Sequence, residues 1–140
     1  MAKTDTPRHQ IIRRCVLQRP DAIASVSISL WERLASELVA IIGQGGFDSL
    51  YSRSLHLAVV TFPWLAAGYP SQQAGSRFAG LQTSLEGRDF TEASEASIAL
   101  LITFIDILVT LIGESLTTSI LRAAWGDDAL DIAVKDSDNE

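Results

Sequence analysis

Apolar residues recur three and four positions apart over most of the chain between residues 29 and 125, which is the signature of amphipathic helices. Leu30, Trp31, Leu34, Leu38, Ile41 and Ile42 form one apolar face. Ser29 and Glu32 are spaced as a capping box that starts the helix, and Gly43 ends it. The preceding SVSISL alternates with period two, so it reads either as an extended lead-in or as an earlier helix start. A second helix is predicted from about Phe47 to Thr61, with Leu50, Tyr51, Leu55 and Ala58 on its core face and Pro63 as its stop. A weaker third helix spans about 71–86 and carries Ala74, Phe78, Leu81 and Leu85 at core spacing. Asp89 and Glu92 form a second capping box, which launches a long helix to Trp125, bent near Gly113.

The long helix decides the class of the protein. Ala96 to Ile112 is a run of apolar or small residues around one carboxylate, Asp106. As a membrane span it is short, and its central acid costs about 2.5 to 3.5 kcal/mol on insertion scales. The helical period gives a fuller account. Ala99, Thr103, Asp106, Thr110, Gly113 and Thr117 follow one another at intervals of four and three, a narrow small-and-polar stripe on an otherwise bulky helix. The expected fold is therefore all-α: a compact bundle of four to five helices with a long, mostly buried C-terminal helix over about 90–125. Asp106 lies on that helix's one wettable edge, facing either water or a twin subunit.

Two stretches resemble each other at an offset of seventy residues. Leu38, Val39, Ile42 and Gly43 match Leu108, Val109, Ile112 and Gly113 in identity. A pseudo-repeat of two helical hairpins follows if the likeness extends to structure, while two helices built from Leu, Val and Ile also look alike by composition alone.

With 140 residues the chain makes one domain. Charge divides it into three parts. Residues 1–19 carry five bases and one acid, and the last fourteen residues carry six acids and one base, within a net charge of -6. The expected organisation is a basic, flexible arm over 1–22, a helical domain over 23–126 and an acidic, flexible tail over 127–140. An acidic protein with one basic end is a poor nucleic-acid binder. Cys15 is the single cysteine, which excludes an internal disulfide, and arginines interrupt the only short apolar run near the N-terminus. Both point to the cytoplasm.

Candidate chemistry is sparse. His56 falls on the polar side of the second helix with Ser52 and Arg53, and a histidine on a bundle helix resembles the general architecture of histidine phosphotransfer modules. The basic residue usual after that histidine is missing, since the chain reads His56-Leu-Ala-Val-Val. His9, His56 and Cys15 have no zinc-site spacing, and no Glu-x-x-His pairs occur, so neither metal nor cofactor is expected. The glycines at 43–46 read as a helix-to-helix turn, because Asp48 opposes a phosphate and no lysine follows. Binding through apolar surface remains, with Trp31, Trp64, Tyr69 and Trp125 as anchors wherever they are exposed. A lipophilic pocket of Phe104, Ile105 and Trp64 is a further possibility in the pattern. The expected function is a non-enzymatic interaction or regulatory module. It forms a homodimer through the long helix and serves an unknown protein partner, with phosphotransfer at His56 and a membrane-associated helical protein as alternatives.

Overall fold

In the computed structural model, which describes residues 7–68 and 78–126, five α-helices pack around one core. They are α1 (Pro7–Leu17), α2 (Ile23–Ala58), α3 (Ala79–Glu86), α4 (Phe90–Ile112) and α5 (Glu114–Trp125), with short 3-10 turns at Pro20–Ala22 and Pro63–Gly68. The all-α bundle with one long apolar helix is thus the observed fold.

Although α2 is helical from end to end but for one residue, it is not a rod. A straight helix would hold positions 31 and 51 about 30 Å apart. The rings of Trp31 and Tyr51 are 5.1 Å apart. The chain doubles back at Gly43, the single non-helical residue inside α2, whose φ of 79° and ψ of 165° lie where glycine alone is comfortable. The turn expected over 43–46 is therefore one residue long, and Gln44, Gly45 and Gly46 already belong to the returning arm. Gly113 does the same between α4 and α5, with φ 93° and ψ 161°. Its amide donates to the Val109 carbonyl, and its own carbonyl accepts from the Thr117 amide and hydroxyl.

The two hairpins share more than their corners. Every buried position of α2 from Ile23 to Leu55 has a buried counterpart seventy residues later. Trp31 answers to Leu101, Leu34 to Phe104 and Tyr51 to Leu121, so the copies share a burial pattern while exchanging where the large rings sit. Ser27 and Ser97, equivalent positions, meet through their hydroxyls where the first arm of α2 approaches α4. Trp31 touches Phe104 further along, at 5.0 Å between centroids. Both contacts advance in the same direction along the two helices, so these arms run parallel and their glycine corners lie at the same end.

The core is aromatic. Trp31, Phe47, Tyr51, Phe78 and Phe104 form a cluster in which Trp31 contacts each of the other four. Phe78, Leu81 and Leu85 enter from the connection through α3, and Leu65 from the second 3-10 turn.

Several sequence expectations are corrected. The first helix begins at Ile23, six residues before Ser29, because Ile23, Ser27, Ile28, Leu30 and Trp31 all fall on its buried side. The Ser29–Glu32 box is therefore unused, and both residues lie mid-helix and exposed. The Asp89 cap is real: its carboxylate accepts from the Glu92 amide at 2.8 Å. Where a basic arm was expected, Pro7–Leu17 is a helix, and Ile11, Ile12, Cys15 and Val16 are buried while Arg13 and Arg14 face out. The spacing of those four residues is itself helical. The tail over 127–140 lies outside the described residues.

α1 packs mainly on α4 and breaks the two-fold likeness of the hairpins. The reason is chemical. On α4 the outward positions 99, 102 and 103 are Ala, Ile and Thr, whereas their equivalents on α2 are Ser29, Glu32 and Arg33. Only the α4 face can take the apolar side of α1.

Candidate functional site

The small-and-polar stripe of α4 is satisfied within the chain. Thr103, Thr110 and Thr117 each donate to the carbonyl one turn back, from Ala99, Asp106 and Gly113. Asp106 is 45% exposed at its side chain and accepts from His9 Nε2, 3.0 Å from Oδ1 and 3.3 Å from Oδ2. Through His9, α1 of the same chain thus reaches the wettable edge. His9 and Asp106 form a clasp between the two helices. Among the described residues, no group of three or more His, Cys, Asp or Glu side chains is placed to hold a metal ion.

His56 is exposed in the last turn of α2, beside exposed Arg53 and half-buried Ser52. Cys15 is buried in the α1 contact, and desolvation pushes its thiol up to about 11. A thiol held protonated is a poor nucleophile. Native protein in mildly alkaline buffer should therefore react with iodoacetamide only slowly, and urea-unfolded protein rapidly. Fast labelling of the native protein would show that α1 leaves the bundle readily. Burial also raises the Tyr51 hydroxyl far above the ordinary phenol range.

The tryptophans expected as anchors have different fates. Trp31 has no exposed surface and serves the core. Trp125 is buried, and its indole N–H donates to the Leu30 carbonyl at 3.0 Å, tying the end of α5 to α2. Trp64 is half-buried, edge-on to Phe62, with the Arg88 guanidinium 4.8 Å above its ring. Tyr69 lies outside the described residues. Phe104 and Ile105, expected with Trp64 to line a lipophilic pocket, have no exposed surface, and Trp64 packs half-buried against the same core beside Phe62 and Arg88.

The sequence reading missed a different apolar surface. Ile41 is 52% exposed and Leu111 62%, the residues two before each corner glycine, and Leu116 follows the second corner. Ile42 and Ile112 pack partly against the core behind them. Ile41 was expected on the buried face of its helix, but the chain reverses at Gly43 before that turn is covered. The repeated Ile or Leu, Ile, Gly ending both arms is the sequence signal that could have located this end.

Compared with known proteins, the chain matches no family model, no curated protein and no solved structure.

Proposed function

We propose that this protein is a non-enzymatic interaction module of the cytoplasm that pairs with a second copy through the end bearing its two glycine corners. The observation that carries the reading is the placement of Ile41 and Leu111, equivalent residues of the two hairpins, exposed at the same end of the bundle. A surface that is already nearly two-fold suits an isologous contact, in which the same patch serves both subunits. Exposed apolar side chains at the corners also supply what self-association needs, apolar area to remove from water. The α4 stripe is a poorer route to a dimer, because α1 and His9 already engage it. Phe90–Ile112 is long and apolar enough to cross a membrane, and ten of its 23 residues are buried against the bundle, which supports its reading as a core helix.

Sedimentation equilibrium tests the proposal. Wild type should run as a dimer at micromolar concentration without detergent. An Ile41→Glu, Leu111→Glu double variant should run as a monomer with an unchanged thermal unfolding temperature, since both side chains are exposed. A wild-type monomer, or a double variant that still dimerises, would remove this reading.

A further inference from the structure

Of three grooves on the described surface, two mix charges. One holds Asp21 and Glu86 with Arg88, and another sets Glu95 opposite Arg13. The third, about 390 Å³ in volume, lies between the end of α1 and the first arm of α2. Among the described residues its charged lining is Arg19 and Arg33, with no carboxylate. That is unusual in a chain with seventeen acids against eleven lysines and arginines. Among the described residues, no ion pair engages either arginine.

The helical period organises this groove. Ser25, Ser29 and Arg33 succeed one another at four-residue intervals and form one wall, while Val26 and Leu30 form the floor. Arg19 closes the opposite side from the link between α1 and α2. Both serine hydroxyls are on exposed residues and make no hydrogen bond among the described residues. The equivalent face of α4 carries Glu95, Ala99 and Thr103 and lies against α1, so this donor-rich wall belongs to one copy of the repeat only.

We propose that this groove binds a diphosphate group. Two guanidinium forks present donors only, and the two hydroxyls beside them can donate as well. A single carboxylate offers two oxygens, too few for both forks and both hydroxyls. A diphosphate offers enough acceptors along its length to meet Arg19 at one side and Arg33 at the other, and charge-assisted bonds of this kind are the strong ones. Val26 and Leu30 leave an apolar floor for the organic part of such a ligand.

The test is a titration of the full chain with inorganic pyrophosphate, followed by nitrogen-15 amide shifts and calorimetry. Pyrophosphate should shift the Ser25 and Ser29 amides in a saturable way, and added salt should weaken binding. An Arg19→Gln, Arg33→Gln variant should bind at least about tenfold more weakly, in line with losing charged hydrogen bonds. Its unfolding temperature and oligomeric state should not change, so loss of this site is distinguishable from failure of the dimer reading. Shifts scattered over the molecule, or a double variant that binds within about twofold of wild type, would overturn the proposal. So would a glutamate-rich peptide that binds more tightly than pyrophosphate, because the groove would then be a carboxylate site.

Discussion

Trp31→Ala is expected to lower the unfolding free energy by about 3 to 5 kcal/mol, the range for removing a large aromatic from a packed core. Trp31 contacts Phe47, Tyr51, Phe78 and Phe104, which come from both hairpins and from the α3 connection. Its loss opens a cavity where three parts of the chain meet, and rigid rings on every side collapse poorly into such a space. Trp31→Phe should cost much less. The indole N–H of Trp31 is buried without a hydrogen-bond partner among the described residues, and such an orphan donor carries a penalty of about 1 to 3 kcal/mol that phenylalanine does not. Urea denaturation of both variants measures the difference. Equal losses would mean that the indole nitrogen costs nothing, and a small loss for Trp31→Ala would mean that the cluster is not the keystone of the core.

Replacing the corner glycines should have the second large effect, this one on topology as well as stability. Both occupy backbone conformations that side-chain-bearing residues rarely adopt, at a cost of about 1 to 3 kcal/mol each. A Cβ at Gly43 or Gly113 would meet no atom within 4 Å, so the penalty is conformational and no repacking relieves it. Alanine instead favours continuation of the helix. A straight α2 of 36 residues would extend about 54 Å and could no longer lay Tyr51 on its own Trp31. It could lay Tyr51 on the Trp31 of another molecule. Gly43→Ala is therefore expected to give a less stable monomer together with swapped dimers, separable by size-exclusion chromatography. Gly45→Ala is the control, since that site has a helical conformation and open space, and it should be neutral or stabilising by up to about 1 kcal/mol.

Much of the fold was legible because helical period is a local property. The core faces around Leu34, Leu38, Leu55, Phe104 and Leu108, the Asp89 cap and the end of the first helix at Gly43 can all be read from spacing, whereas Gly113, expected as a bend in one long helix over 90–125, reverses the chain between α4 and α5. The likeness between residues 38–43 and 108–113 marked a repeat whose extent the burial pattern makes plain. What misled were competing local signals. Ser29 and Glu32 have the spacing of a cap, but capping needs a chain that turns there, and the apolar positions before them favoured more helix. Arg13 and Arg14 hid an amphipathic helix, because charges inside a short apolar run look like an interruption until the period of 11, 12, 15 and 16 is followed. The candidate sites were the least legible part. Whether a tryptophan is an anchor or a core residue depends on what lies opposite it, and the partners of Trp31 and Trp125 are sixteen to ninety-five positions away.

The recurrence at seventy residues gives this molecule an internal reference. Leu38 and Leu108 are the same residue at matched places in the two hairpins, and both are wholly buried. Truncating each in turn compares one side chain in two settings that share a backbone plan and differ in their coverings, with α1 lying over α4 and not over the equivalent face of α2. Ordinarily such a comparison needs two proteins, with all the differences of sequence and solvent that separate them. Here one chain carries both the specimen and its control.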